Sequence, residues 1–316
     1  MGPRLFTLAI EPRGTAAHDI LTPMDRRTFL AGAAAPLVTG IAAQMTSQSA
    51  SAQTPAKGGR LKQSVMSSVW TGSKTTFEER CKILARIGFK GVDLPTPQQV
   101  PILKDNGLAP ALMTGTGTSF QNGLIRKENH NMIEDASKAG IDLCASVGCP
   151  TLIALPGERR GMSREEGADN TVAILNRIKG YAEQKGINYC MEITNSKVAA
   201  DQRTDQVFDH VQWGFDICKR VNSPRVKILF DIYHVQIADG DVTRTIRDNF
   251  QYICHFHGAG VPGRNEFDET QELNYRFIAG AIADLGYTGF IAHEWRPAMG
   301  HDPEKSLEKC FQILNV

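Results

Sequence analysis

A chain of 316 residues with 35 basic and 34 acidic side chains carries almost no net charge, and its length suits one large α/β domain with a tail as well as two average domains. No long basic run appears, which argues against nucleic acid or an anionic membrane as the main partner, because both select a basic footprint. A small neutral or anionic molecule is the expected ligand.

The first segment to stand out is Asp25-Arg26-Arg27-Thr28-Phe29-Leu30, followed by the mildly apolar AGAAAPLVTGIAA and by Ser49-Ala50-Ser51-Ala52-Gln53. Paired arginines, a weakly hydrophobic stretch and small residues of the A-x-A type are the order of a twin-arginine export signal. Cleavage is expected after Ala52, so residues 24–52 form the signal and 53–59 a linker. Met24 directly precedes this segment, and residues 1–23 read as a non-native upstream extension. The apolar stretch is short and rich in Ala and Gly, whereas a spanning helix needs about 20 strongly apolar residues. No stable membrane insertion is expected, and the protein is expected in the periplasm or outside the cell. Seven scattered cysteines without a C-x-x-C pair read as buried free thiols, which suits a chain folded in a reducing compartment before export.

From Arg60 to the end, short apolar runs alternate with longer amphipathic ones. QSVMSSVW, KGVDLP, APALMT, TLIALP, NYCMEI, KILFDI, CHFHGA and FIAHEW predict strands. FEERCKILARIG, ADNTVAILNRIKGYAEQKG, VFDHVQWGFDICKRV and LNYRFIAGAIADLG have helical spacing. Gly88, Gly186 and Gly286 stand just before the next strand, where a helix end favours positive φ. Eight strands separated by helices over residues 60–316 predict a single (β/α)8 TIM barrel. A doubly wound sheet is the alternative, but the turn VWTGSK after the first strand is not glycine-rich, and Gly115-Thr116-Gly117 lacks a third glycine.

Active sites of such barrels lie at the C-terminal ends of the strands. Four successive strands end in a carboxylate or imidazole: Glu192, Asp231 with His234, His255 and His257, and Glu294. A charge at the end of an apolar strand costs several kcal/mol unless it is paired or bound to a metal. Glu192, Asp231, His257 and Glu294 therefore form a candidate metal tetrad. Three hard carboxylates and one nitrogen suit Mn²⁺ or Mg²⁺, and are compatible with Co²⁺ or Zn²⁺.

Glu192, Asp231-x-x-His234, His257 followed by Val261-Pro262-Gly263-Arg264, and Glu294 resemble the xylose isomerase-like barrel superfamily, and within it hydroxypyruvate isomerases and ketose 3-epimerases. The resemblance covers the chain after about Gly59. Its most specific part is GAGVPGRNEFDETQELNY, and it departs from the hydroxypyruvate isomerases at His257, where they often carry glutamine and the epimerases histidine. It implies a metal-dependent isomerase that forms an enediolate from a small hydroxy-keto acid or keto sugar. Glu192 and Glu294 would be the acid/base pair and also touch the metal. His234 would hydrogen-bond a substrate oxygen and Arg264 would clamp a carboxylate or hydroxyl. Barrels of this kind often form homo-oligomers, so a homo-oligomer is a further expectation.

Glu158, after the fourth strand, and Trp70, at the end of the first, are further substrate-binding candidates. A two-residue period puts His255 and His257 on one side of the sheet, so one of them is expected as a deeper histidine behind the site, with His255 a lesser candidate for touching the metal. Lys197 and Glu266 are weaker candidates, and Trp213 reads as core or interface. A metal-dependent lyase, dehydratase or hydrolase on the same barrel remains an alternative, because fold does not settle chemistry. A sugar-binding barrel without turnover fits less well, since a pure binder needs no pair of acid/base carboxylates. An apurinic-site endonuclease would need a richer His/Asp/Glu cluster and a basic face.

Overall fold

A computed structural model describes residues 59–198 and 205–316 of the chain. The upstream extension, the export signal and nearly all of the linker lie outside the described residues. The eight apolar runs form parallel strands: β1 (Lys62–Val65), β2 (Gly91–Asp93), β3 (Ala109–Leu112), β4 (Thr151–Ala154), β5 (Asn188–Glu192), β6 (Val226–Asp231), β7 (Ile253–Gly258) and β8 (Phe290–His293). Their order is β3-β2-β1-β8-β7-β6-β5-β4. The sequential order around the sheet, with β1 pairing both β2 and β8, is that of a barrel and rules out the doubly wound sheet. Met113, just beyond β3, closes the remaining gap: it donates to Thr151 O at 3.0 Å and accepts from Ile153 N at 2.9 Å. The result is a nearly closed (β/α)8 barrel.

Nine α-helices connect the described strands: α1 (Phe77–Ile87), α2 (Val100–Asp105), α3 (His130–Val147), α4 (Arg164–Lys185), α5 (Val211–Val221), α6 (Ile232–Ala238), α7 (Val242–Asn249), α8 (Tyr275–Asp284) and α9 (Pro303–Leu314). Local chemistry explains their ends. Thr76 and Glu79 form a reciprocal capping box at the start of α1, satisfying two orphan backbone donors. Gly88, Gly186 and Gly286 have φ of 120°, 71° and 74°, as the helix-end reading requires. Helix α5 starts four residues later than its apolar spacing suggests. Asp209 is drawn into a fork with Arg164 at 2.6 and 2.9 Å, and His210 is extended as the N-cap. Trp213 is half-buried and donates from its indole to Arg164 O at 3.0 Å, so it packs α5 onto α4.

The core has two layers. Alternate strand residues such as Tyr189, Met191, Ile228 and Phe230 pack outward among buried helix residues. A smaller inner cluster of Leu112, Ile153, Cys190, Leu229 and Cys254 fills the barrel itself. It forms the floor beneath the strand exits. All seven cysteines are buried and free, and among the described residues no helix is long and apolar enough to cross a membrane.

Candidate active site

Period-two alternation aims Cys190 and Glu192 of β5 the same way, and likewise Leu229 and Asp231 of β6. The carboxylates thus emerge directly above the inner apolar floor. Glu294 follows β8 by one residue, with its backbone N–H donating to Gly258 O at 2.9 Å. The β6–β7 register slips by one residue across Cys254, which lets that thiol join the floor while His255 and His257 still point into the barrel. Glu192, Asp231, His257 and Glu294 each offer a ligand atom, all within 4.8 Å of one another.

His257 stands at the centre of this group. Its Nδ1 lies 2.8 Å from Glu294 Oε2 and 3.6 Å from Glu192 Oε1. Burial opposes a charged ring, but Glu294, Asp93 and Glu192 override it and hold the imidazole pKa well above its usual value, so Nδ1 donates to Glu294. Asp231 uses Oδ1 to cap α6, accepting from Tyr233 N at 2.8 Å and His234 N at 3.3 Å. Its Oδ2 is buried without a hydrogen-bond partner. Burial, reinforced by Glu294, pushes the Asp231 carboxyl up to about 8. Glu294 goes the other way: burial pushes it up, and Arg264 and His257 pull it well below the usual carboxylate range.

Arg264 bridges the acids, with Nη2 2.8 Å from Glu294 Oε1 and 3.6 Å from Asp231 Oδ2. Its guanidinium also lies over the Tyr233 ring at 4.9 Å. The turn that carries it is tight, with Arg264 N donating to Gly260 O at 2.9 Å and φ at +56°, a conformation side-chain-bearing residues rarely adopt. The QELNY motif has a structural task here. Asn274 caps α8, and the Tyr275 hydroxyl both accepts from Ala259 N (2.9 Å) and donates to Ala259 O (2.7 Å), clamping the exit of β7.

A cavity of about 210 Å³ opens onto the tetrad, lined by Glu192, His257, Glu294, Thr114, Thr118 and an apolar wall that includes Met66, Leu94 and Phe120. His234 is fully buried and, like Arg264 and Asp231, does not line that cavity. Its Nδ1 accepts from Asn195 N at 3.1 Å, which directs Nε2 toward Asp231 Oδ2 at 3.4 Å. Trp70 and Glu158 are placed differently from expectation. Trp70 ends a 3₁₀ turn rather than β1, lies beneath Arg80 at 5.4 Å, and lines a separate cavity of about 80 Å³ that shares Met66 and Leu94 with the first. The Glu158 carboxylate turns to Arg160 at 3.6 Å, and its residue is absent from the lining of the larger cavity. Lys197 caps the end of α6 through Ile237 O and Ala238 O. Glu266 anchors the loop before α9 through Ala298 N, His301 and Ser306.

Asp93 is the residue that sequence reasoning missed. Its Oδ2 accepts from His255 Nε2 at 2.6 Å and His257 Nε2 at 3.1 Å, so His255 sits one layer deeper than the tetrad. Burial pushes the Asp93 carboxyl up, and the two imidazoles override it and hold it well below the usual range. KGVDLP does end a strand in a carboxylate, so the rule applied to the last four strands would have found Asp93 on β2.

The donor set fits a divalent cation. Three carboxylates converge there, Arg264 and His257 offset part of their charge, and the Asp231 oxygen that has no hydrogen-bond partner is a donor that a cation would satisfy. Hard oxygens with one imidazole suit Mn²⁺ or Mg²⁺.

Known proteins bear on this geometry. A 2-oxo-tetronate isomerase of Pectobacterium atrosepticum is 28% identical over 236 residues, covering 70% of this chain and 87% of its own. A Xenopus laevis protein named as a hydroxypyruvate isomerase is 24% identical over 236 residues, covering 70% and 85%. Among solved structures, an AP endonuclease of family 2 from Brucella melitensis superposes with a TM-score of 0.69 at 25% identity, over 78% of this chain and 97% of its own. A D-psicose 3-epimerase from Clostridium cellulolyticum H10, solved with D-tagatose, has a TM-score of 0.67 at 16% identity, over 80% and 98%, a likeness of fold. Isomerases and epimerases among the relatives are consistent with an enzyme of either type. The sequence pattern of the xylose isomerase-like TIM barrel family matches residues 81–314; together with the barrel and its rim of acids, this establishes that the chain belongs to that family.

Proposed function

We propose that this protein is a metal-dependent isomerase of the hydroxypyruvate and 2-oxo-tetronate isomerase type, acting through an enediolate on a small hydroxy-keto acid or keto sugar. One observation carries the reading: two glutamates, Glu192 and Glu294, line one small cavity and both approach Nδ1 of His257. Glu192, Asp231, His257 and Glu294 would hold the cation. When bound, it supplies Lewis acidity that lowers the pKa of the C–H between adjacent carbonyl and hydroxyl oxygens.

The chain's own groups account for the remaining requirements. Proton transfer between neighbouring carbons needs a carboxylate that takes a proton from one carbon and returns one to the next, and Glu192 and Glu294, both lining the cavity, are the groups to share that task. Arg264, paired with Glu294, keeps that carboxylate ionised, and a substrate carboxylate or hydroxyl that reached it would meet a guanidinium suited to bidentate pairing. Asn195 fixes the tautomer of His234, whose Nε2 would meet a substrate oxygen near Asp231. The apolar wall of Met66, Leu94 and Phe120 limits water around the carbanionic intermediate.

The test is solvent exchange followed by NMR in D₂O on the Mn²⁺-loaded protein, with hydroxypyruvate, 2-oxo-tetronates and a panel of keto sugars. Deuterium entering next to a carbonyl, and failing to enter in Glu192→Gln and Glu294→Gln, is the expected result. Products that differ only in configuration at C3 would assign the chain to the ketose 3-epimerases instead. No exchange despite bound Mn²⁺ would reject enediolate chemistry in favour of a lyase, hydrolase or binding barrel. The twin-arginine pattern supports a periplasmic or secreted setting for this activity.

A further inference from the structure

We propose that Asp93 is the positioning residue of this site: it holds His257 through Nε2 so that Nδ1 is presented to Glu192, Asp231 and Glu294. The inference rests on the reading of those residues as cation ligands.

Three features of the β2 exit support it. The β2–β3 register slips by one residue between Val92 and Asp93, and such irregularities re-aim side chains near active sites. The next residue, Leu94, has φ of +54°, a strained conformation for a bulky side chain, and strain of this kind concentrates at functional sites. The carboxylate it delivers is 2% exposed. One oxygen serves two imidazoles, and the other, Oδ1, is buried with no partner. An apolar residue would occupy this place at lower cost, since removing a buried ionic group in favour of packing is often neutral or stabilising. Packing therefore does not explain Asp93.

The geometry of His257 does. An imidazole can rotate about its Cα–Cβ and Cβ–Cγ bonds and carry its proton on either nitrogen. Here the 3.1 Å bond to Asp93 assigns Nε2 as a donor and leaves Nδ1, 2.8 Å from Glu294 and 3.6 Å from Glu192, as the atom facing the acids. His255 holds Asp93 from the other side at 2.6 Å, with its ring edge-on to His257 at 5.3 Å between centroids. A carboxylate behind a metal-binding histidine typically changes metal affinity 10- to 100-fold.

The test pairs Mn²⁺ affinity with the protonation of the His257 ring. Free Mn²⁺ is titrated by EPR against wild-type protein, Asp93→Asn and Asp93→Leu. Asparagine keeps an acceptor without the charge, and about a 10-fold rise in Kd is expected; leucine removes the acceptor, and the rise approaches 100-fold. In parallel, ¹⁵N-imidazole spectra of the wild type, metal-free and loaded with diamagnetic Zn²⁺, should show a protonated, hydrogen-bonded Nε2 on His257 in both states. A Kd in Asp93→Leu within about twofold of wild type, against the expected 10- to 100-fold, would overturn the proposal, as would a His257 without a proton on Nε2 in wild type. The wild-type spectra decide the matter even if neither variant folds. If wild-type protein binds no Mn²⁺, the cation reading fails, and the metal-free spectrum still tests whether Asp93 holds the ring.

Discussion

Replacing Asp231 with asparagine separates the stability of this site from its chemistry. The native carboxyl is pushed from 3.8 up to about 8, so at neutral pH the cation-free folded state holds a proton that the unfolded chain releases. A group with a raised folded pKa favours folding most below its unfolded pKa, and that contribution is lost as pH rises, here between about 4 and about 8. At pH 7 the difference of about 3 units corresponds to roughly 4 kcal/mol against the folded state. The Asp231→Asn substitution would remove this penalty. The amide oxygen it introduces can still cap α6 through Tyr233 N and His234 N, and the amide NH₂ takes the place of the unpartnered Oδ2. Allowing for a weaker cap, the metal-free variant is expected to be more stable than wild type by on the order of 2 kcal/mol at pH 7, or roughly 4–8 °C in Tm for a domain of this size. The gain should shrink toward zero as pH falls to about 4. Added Mn²⁺ should raise the Tm of wild type but not of the variant, which lacks an anionic ligand. Urea unfolding with EDTA at several pH values, and thermal melts with and without Mn²⁺, supply the data. A metal-free Asp231→Asn protein less stable than wild type at pH 7, or a gain that does not vary with pH, would refute the reasoning.

Further expectations concern other parts of the molecule. His293 is held neutral by burial, which pushes its pKa down to about 3, while Nε2 donates to Gln63 at 2.9 Å and Nδ1 accepts from Trp295 at 3.2 Å. Its contribution to stability is complete above pH 6.5 and should fall by about 1.4 kcal/mol per unit as pH drops toward 3; an NMR titration showing its ring protonating near pH 6.5 would contradict this. Tyr275→Phe removes both hydrogen bonds to Ala259 and leaves a buried N–H and C=O unpaired, so urea unfolding should report a loss of about 1–3 kcal/mol. Replacing Arg26 and Arg27 together by lysine should leave the protein inside cells that otherwise export it, as fractionation and immunoblotting would show; unchanged export would remove the case for a twin-arginine signal.

Much of the fold is legible in the sequence because its signals are local. The apolar runs and the amphipathic stretches between them follow backbone periods of 2 and 3.6, and glycines such as Gly186 mark helix ends that only positive φ can form. The tetrad is legible for a related reason. A carboxylate ending an apolar run is anomalous by itself, and in a barrel every strand exit lies on one rim, so Glu192, Asp231, His257 and Glu294 converge once the barrel is recognised. Trp70 and Glu158 stand at strand exits by the same count, but a 3₁₀ turn after β1 and an ion pair with Arg160 turn their side chains elsewhere. Those details depend on loop geometry that no periodicity encodes.

Composition, periodicity and strand-end chemistry determine a barrel with an acidic rim. Tertiary structure alone decides which groups share protons and charge: that Asp93, 164 positions before His257 in the chain, meets its Nε2, that Arg264 pairs with Glu294, and that one oxygen of Asp231 is left without a hydrogen-bond partner. Hydrogen bonds and ion pairs fall off within a few ångströms, so they depend on the closure of the barrel and on one-residue slips in strand register rather than on any pattern along the chain.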